Sequence, residues 1–393
     1  MKIKKINVII FITMFINVFL AFPLILISIF KKKESPFLIG LFFGVLGFYF
    51  EFKSGGGDLG RYYSMFELSE KLREITWNYQ RDFYAQFMVE TLIKFKLPKN
   101  LLATSSAFIT YYFLYKSINI FFLNIRSNYD GKKRLIIYIF LFVLISIVGY
   151  TGIRFYPALA VMLYAIILKF KVKDRKYILF SIFAIMIHSS MLLPAILLFF
   201  NKFFILSIKN IKKFKIVILI FFLLGNIIDS SKLMYITNYI NNLGIIYIHS
   251  GYISGIWGER YIEKFIGISR IIRIYMILNY NKLLSLFYTI FIFGKSRLEQ
   301  YISLLTLFYF FTQNFFSISE RYYNLLLVCY YFIVIGKKNY FFHKKAKIFL
   351  SLLIVNGVLK MALDLNDYLP SFIYSYSKFY KMSLLDILIK ILL

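Results

Sequence analysis

The chain has 393 residues, of which 60% are apolar, 21% are aromatic and only 17% are charged. Soluble domains carry about 25% charged residues, and a soluble domain of this length could not bury so much apolar surface. The composition excludes a soluble enzyme, a disordered protein and a secreted disulfide scaffold. It predicts an all-α polytopic integral membrane protein.

Basic residues outnumber acidic ones by 48 to 18, which gives a formal net charge of +30. They stand in short runs between apolar stretches, a pattern that orients membrane spans, so we do not expect nucleic-acid binding. The single cysteine, Cys329, lies in an apolar run. One cysteine excludes an intramolecular disulfide and a cysteine-based metal site.

The apolar segments predict about 11–12 transmembrane helices, because a crossing of ~30 Å needs about 20 residues, or fewer where the bilayer thins. The segments are 6–30, 37–52, 101–123, 135–150, 153–170, 176–188, 190–206, 214–228, 271–293, 300–317, 322–336 and 346–363. The first is longer than a signal-peptide core of roughly 7–15 residues, so we expect no cleavable signal. We expect residues 1–393 to form a single transmembrane domain.

The charges of the connections predict their sides of the membrane. Four connections have a basic excess and are expected in the cytoplasm: 124–134, 169–176, 209–215 and 337–347. The long, nearly neutral connections 53–97 and 229–264 are expected to be outer loops. At the N-terminus, Lys2–Lys5 compete with Lys31–Lys33 for the cytoplasm, and we favour the second cluster because the other loops then agree.

A broken helix pair is predicted around His188. If 176–206 were one span, the basic run at 209–215 would fall outside. Two short helices instead place this basic run in the cytoplasm. Pro194 and the polar step His188-Ser189-Ser190 favour the break. Broken backbone at membrane depth is tolerated where it lines a polar cavity. The alternative for His188 is a hydrogen-bonded core histidine.

Four glycines fall within six residues from Gly55 to Gly60, directly after the second apolar segment. Glycines allow close approach of the backbone to a ligand, and exposed N–H groups beside Arg61 would form an anion site. Tyr62 and Tyr63 are suited to stacking on sugar rings. The alternative is a flexible turn followed by an interfacial aromatic belt.

Further charges stand at the outer ends of predicted spans, where charged residues are costly and usually functional. Arg154 opens one span, Arg270 and Arg273 open another on one helical face, and Glu320 and Arg321 border a third. The alternative for each is interfacial anchoring, by snorkelling or by a local ion pair.

These groups share the outer half of the predicted bilayer. They are Asp58, Arg61, Arg154, His188, Arg270, Arg273, Glu320 and Arg321. Five arginines imply a ligand with several negative charges, because the planar guanidinium binds two phosphate oxygens at once. The simplest such ligand in a membrane is a lipid-linked diphosphate.

Three stretches resemble the bacterial O-antigen and capsule polymerases (Wzy), especially their EpsG-like branch. The first is Gly57–Tyr63. The second runs from Gly152-Ile153-Arg154 through a basic loop to His188–Pro194. The third is Glu320–Tyr323. One departure is Tyr156-Pro157, where the family more often has glutamine and no proline, which puts the local helix start in question.

The resemblance implies a multi-pass protein of the bacterial cytoplasmic membrane that polymerises O-antigen, capsule or a related polysaccharide. It would transfer a growing glycan from undecaprenyl diphosphate onto a lipid-linked repeat unit at the outer face. A chain-length regulator would be a further partner. A ligase acting on lipid A and a flippase or other transporter are the alternatives.

The chemistry of that transfer assigns roles to the residues. Arg154, with Arg321 or Arg270 assisting, would stabilise charge on the leaving diphosphate, and a neutral His188 or Asp58 would accept the proton of the acceptor hydroxyl. We expect no cofactor and no metal. The predicted substrate-binding residues are Arg61, Tyr62, Tyr63, Arg270, Arg273, Glu320 and Arg321.

Overall fold

The computed structural model describes residues 5–51, 57–72, 79–124, 130–145, 152–200, 211–227, 238–239, 271, 275–313, 316–336, 344–377 and 379–392. Regular structure in these ranges is helical, as predicted, and each predicted apolar segment overlaps a helix. The chain forms two compact units. Unit 1 comprises Met1–Ala195 and Asp364–Leu393, and unit 2 comprises Ile196–Leu363.

Within the described residues, the helices follow one another in this order. The first ten are α1 (Lys5–Ile16), α2 (Val18–Phe30), α3 (Pro36–Phe48), α4 (Gly57–Leu72), α5 (Tyr79–Lys94), α6 (Leu101–Asn124), α7 (Gly131–Ile145), α8 (Phe155–Ile167, extended by a π-helix at Leu168–Val172), α9 (Tyr177–Ile187) and α10 (Leu192–Phe199). The next six are α11 (Ile211–Ile227), α12 (Asn281–Phe287, flanked by π-helices at Tyr275–Tyr280 and Tyr288–Ile292), α13 (Arg297–Phe311), α14 (Phe316–Gly336), α15 (Lys344–Tyr376) and α16 (Leu384–Leu392).

Two helical stretches among the described residues are long and apolar enough to cross a membrane, Phe155–Val172 and Lys344–Leu363. Six other apolar helical stretches have 10–17 residues, and at 1.5 Å per residue they are about 15–25 Å long. That is less than the ~30 Å of a typical hydrocarbon core. The number of crossings, the single transmembrane domain and the sides of the two long connections stay predictions.

The predicted segment 6–30 is two helices rather than one, because the chain breaks at Asn17. This residue has an extended backbone (φ −159°, ψ 130°), and its side chain caps α2 by accepting a hydrogen bond from the Phe19 N–H. Helices α1 and α2 pack against each other. Which of the clusters Lys2–Lys5 and Lys31–Lys33 lies in the cytoplasm stays a prediction.

The centre of unit 1 is the packing of α3, α6 and α8. Gly40 and Gly47 bring α3 close to α6: a Cβ at Gly40 would meet the Tyr112 Cβ at 2.9 Å, and one at Gly47 would meet the Ala103 carbonyl oxygen at 2.9 Å. Small residues at this spacing let helices approach closely without a hydrophobic driving force. Helix α8 also packs against α6, and its residues from Tyr156 to Ile167 are buried.

Helix α9 runs back along α8, and the predicted break at its end is confirmed. The Tyr164 and Phe180 rings meet edge to face at 4.8 Å. His188 then has an extended backbone (φ −154°, ψ 122°) between α9 and a 3₁₀ turn at Ser189–Met191. Pro194 does not mark the break, because it lies inside the first turn of α10, where proline is tolerated.

The two ends of unit 1 differ in character. At one end Gly131 lies close to the Phe30 carbonyl, Arg134 pairs with Glu34, and the Lys171 ammonium lies 5.0 Å from the Phe121 ring centroid. This basic end gathers connections that the sequence predicts to be cytoplasmic. The amino ends of α6 and α8 lie at the opposite end, since Ser106 donates a hydrogen bond to the Ile153 carbonyl.

Within unit 2, polar side chains link apolar helices to one another. The Asn356 amide donates to Asn281 Oδ1 at 2.8 Å, and the Lys360 ammonium donates to Asn324 Oδ1 at 2.6 Å. Two basic runs predicted to be cytoplasmic also meet here: Lys215 donates to the Ile290 carbonyl, and Lys345 lies over the Phe291 ring.

Candidate functional site

The segment predicted as a glycine-rich turn is helical from Gly57 onward, and residues 52–56 lie outside the described residues. Asp58 stands in the first turn of α4, where the positive end of the helix dipole favours a carboxylate. Arg61 follows one turn later. The helix therefore presents side chains at this place, where the sequence predicted a loop with exposed backbone N–H groups.

Arg154 occupies the N-cap position of α8 and pairs with Asp58 across 96 residues of sequence. Its Nη2 lies 3.0 Å from Asp58 Oδ1 and 3.2 Å from Oδ2, and its Nε lies 3.3 Å from Oδ2. The arginine side chain is 10% exposed and the aspartate 28%. A snorkelling arginine extends into water, whereas this one is enclosed and held side-on by a carboxylate.

The start of α8 also settles the doubt raised by Tyr156-Pro157. The helix begins at Phe155, so Pro157 is its third residue. Backbone N–H groups of the first turn have no partner within a helix, and a proline there costs no hydrogen bond. Tyr156-Pro157 therefore does not displace Arg154 from the N-cap of α8.

Tyr62 lies between the two arginines and joins them. The Arg61 guanidinium lies 4.9 Å from its ring centroid and donates to its hydroxyl at 3.2 Å, while the Arg154 guanidinium lies 5.5 Å from the same centroid. Burial raises the pKa of the Tyr62 phenol, and the positive charges of Arg154 and Arg61 oppose that shift. Tyr62 is thus a buried neutral platform under two cations.

His188 is brought to the same end of unit 1 through the residue next to Arg154. Its ring packs edge to face on the Phe155 ring, with centroids 5.9 Å apart and planes at 82°. The residue is 7% exposed, and its Nδ1 accepts a hydrogen bond from the Ser190 N–H at 3.1 Å. The structure therefore gathers all three predicted catalytic residues, Asp58, Arg154 and His188, at one end of unit 1.

A hydrogen-bonded chain that the sequence did not reveal holds the Arg154 turn. The Ser106 hydroxyl donates to the Ile153 carbonyl at 3.0 Å, and the Tyr84 hydroxyl lies 3.4 Å from Ser106 and 3.1 Å from Ser105. Helices α5 and α6 thereby fix the residue before Arg154. The polar step Ser105-Ser106 in an apolar segment was the available signal, and nothing singled out Tyr84.

Tyr63 points away from Tyr62 and forms a separate contact. Its ring lies 5.2 Å from the Lys99 ammonium, which pairs with Glu67. Three buried oxygens in this part of unit 1 have no hydrogen-bond partner among the described residues: Tyr63 Oη, Gln86 Oε1 and Ser190 Oγ. Buried polar atoms are nearly always satisfied, so these three oxygens need a partner that the described residues do not supply.

The remaining predicted site residues are placed differently. Arg270 and Arg273 lie outside the described residues. Glu320 and Arg321 are partly exposed residues near the start of α14, and they belong to unit 2, whereas the Asp58–Arg154 pair belongs to unit 1. Their predicted roles in substrate binding stay predictions.

The arrangement can bind and stabilise an anion. It combines a buried guanidinium, a second guanidinium on Arg61 that is 56% exposed, an aromatic platform and an imidazole. Fixed donors of this kind are most effective where water is excluded and negative charge develops. In the described ranges, no three His, Cys, Asp or Glu side chains gather in a way that could hold a metal ion.

No curated protein and no solved structure matches the chain. The EpsG family model matches residues 36–378, a stretch that includes α4, the Arg154 turn and the His188 break. The chain therefore belongs to the EpsG family, and this membership implies a membrane protein of polysaccharide biosynthesis with a polymerase-type function.

Proposed function

We propose that this protein is a polysaccharide polymerase of the bacterial cytoplasmic membrane. It transfers a growing glycan from undecaprenyl diphosphate onto a lipid-linked repeat unit at the outer face. The family supports a polymerase-type function, and the side-on pairing of buried Arg154 with Asp58 carries the assignment of the site. This pair lies at the end of unit 1 away from the basic connections, which the positive-inside rule assigns to the cytoplasm.

In the proposed reaction, the bond between the anomeric carbon of the donor glycan and the diphosphate oxygen breaks. A new bond forms from that carbon to a hydroxyl of the acceptor unit. The acceptor hydroxyl loses its proton to Asp58 or His188, and undecaprenyl diphosphate leaves with the electron pair of the broken bond. The atoms and charges balance without a redox partner.

Arg154 contributes most at the leaving oxygen, where negative charge builds in the transition state. A ligand diphosphate would share the guanidinium with Asp58, and the partly exposed Arg61 would neutralise the second phosphate. The Tyr62 ring contacts both guanidinium groups and holds them in place. The sugar rings would lie along the neighbouring aromatic side chains, including Tyr63.

Deletion of the gene tests the polymerase function, and substitution of Arg154 tests the site. We expect deletion to abolish long-chain polysaccharide on gels and to leave single repeat units on their lipid carrier or on lipid A core. Loss of single-unit transfer as well would indicate a ligase, and accumulation of units on the cytoplasmic side would indicate a flippase. Unchanged long polymer would refute all three.

Arg154→Lys keeps the charge but loses the bidentate fork. We expect a loss of about 10²–10³ in polymerisation rate, by analogy with the deletion of one oxyanion donor. Arg175→Lys is the matched control, because Arg175 is exposed in the basic connection after α8. Full polymer length with Arg154→Lys, at equal protein amount in the membrane, would show that Arg154 is only an anchor.

A further inference from the structure

The backbone of the α9–α10 break fixes the orientation of the His188 ring. His188 is the N-cap of the 3₁₀ turn Ser189–Met191, and its own side chain caps that turn through the Ser190 N–H. The ring is also packed against Phe155. Both the plane of the imidazole and the role of one of its nitrogens are thus set by local structure.

This capping bond determines where the imidazole proton resides. An N–H donates to Nδ1 only if Nδ1 has its lone pair, and a neutral imidazole carries one proton. The proton is therefore on Nε2. The opposite tautomer would set two N–H donors against each other and would leave the Ser190 N–H without its partner.

We propose that His188 acts as a fixed Nε2–H donor to an anionic oxygen of the ligand, and that it does not accept the proton of the acceptor hydroxyl. The identity of that oxygen as part of a diphosphate rests on the proposed function, whereas the tautomer does not. Because His188 contacts Phe155, the residue next to Arg154, a donor there would act on the charge that develops at this end of unit 1. Of the two predicted proton acceptors, Asp58 remains.

The tautomer can be measured directly on the full chain. With His249→Gln and His343→Gln, His188 is the only histidine, and ¹⁵N-histidine labelling reports its two nitrogens by NMR in detergent or lipid. We expect a protonated Nε2 and an unprotonated Nδ1 at neutral pH. A protonated Nδ1 would overturn the proposal, whatever the activity of the protein.

Two substitutions separate a donor from a base. His188→Gln keeps an N–H group near the position of Nε2 but cannot take up a proton, whereas His188→Asn keeps the cap, since asparagine is among the best N-cap residues, and loses the distal donor. We expect His188→Asn to lose about 10²–10³ in polymerisation rate and His188→Gln to retain clearly more.

The comparison requires equal amounts of folded protein, checked by the thermal unfolding midpoint. Equal loss in both variants would show that proton uptake is what matters and would overturn the donor role, as would full activity in both. If the gene deletion leaves polymer unchanged, the proposed function fails while the NMR result still decides the tautomer.

Discussion

An arginine–carboxylate pair lies at each end of unit 1, Arg134–Glu34 and Arg154–Asp58, and the two differ in how exposed their carboxylates are. At the basic end Arg134 pairs with Glu34, whose side chain is 2% exposed. At the other end Arg154 pairs with Asp58, whose side chain is 28% exposed. The first carboxylate is enclosed by protein, and the second has an open side on which Arg61 also lies.

The residues around the two pairs differ in the same way as the exposure of their carboxylates. Arg134 donates to Asn119 and lies 4.9 Å from the Phe122 ring, and the Tyr138 hydroxyl donates to Glu34. That cluster joins α6, α7 and the turn before α3, and it buries the Glu34 carboxylate. The Asp58–Arg154 pair instead adjoins a partly exposed cation. The enclosed pair is therefore a structural contact, whereas the pair with the exposed carboxylate is suited to anion binding.

The largest effect on stability is expected at the closed pair. Arg134→Met leaves the Glu34 carboxylate buried without its counter-charge, which costs about 3–5 kcal/mol. The double variant Glu34→Met/Arg134→Met should recover most of that loss, because it removes both charges. Thermal unfolding in detergent, followed by tryptophan fluorescence, measures both. A double variant as unstable as the single one would show that packing, not charge, is responsible.

At the open pair we expect the reverse balance, a smaller effect on stability and a larger one on activity. Asp58→Asn keeps the shape and one acceptor oxygen, and water screens a site that is 28% exposed. The unfolding midpoint should fall less than in Arg134→Met. Polymer formation should fall by about 10²–10⁴ if Asp58 accepts the proton. Normal polymer length with Asp58→Asn would reduce the pair to a structural contact.

The sequence identified parts of this site for a physical reason. A charge or a histidine in an apolar run is costly, so Arg154 and His188 stood out. The pairing of Arg154 with Asp58 could not be inferred, because it joins residues 96 positions apart. Glycines around Asp58 favoured a turn, yet Gly57 and Gly60 are helical. A single asparagine among apolar residues gave little sign of the break at Asn17.

An intermediate effect is expected at Ser106, which holds the turn that carries Arg154. Ser106→Ala removes the hydrogen bond to the Ile153 carbonyl and should destabilise unit 1 by about 1 kcal/mol. It should also shorten the polymer, because the Arg154 turn loses its anchor. Ser117→Ala is the matched control on the same helix, since Ser117 bonds only within α6, to the Phe113 carbonyl. Equal polymer length in both variants would contradict a positioning role for Ser106.

The smallest effect on stability is expected from cysteine substitutions that label the two ends of unit 1. They also test the comparison of these ends most directly. In a Cys329→Ser background, Glu67→Cys reports on the end with the open pair and Lys133→Cys on the basic end. Glu67 is 54% exposed and Lys133 is 47% exposed. Each substitution removes a surface ion pair, which is worth about 0–1 kcal/mol. An impermeant thiol reagent should label Glu67→Cys on intact cells, and Lys133→Cys only after permeabilisation, because the positive-inside rule places basic connections in the cytoplasm. If the labelling pattern is the opposite, the Asp58–Arg154 pair lies on the cytoplasmic side, where a donor glycan already moved to the outer face could not reach it. Polymerisation at the outer face would then be excluded, although the chain would remain a member of its family.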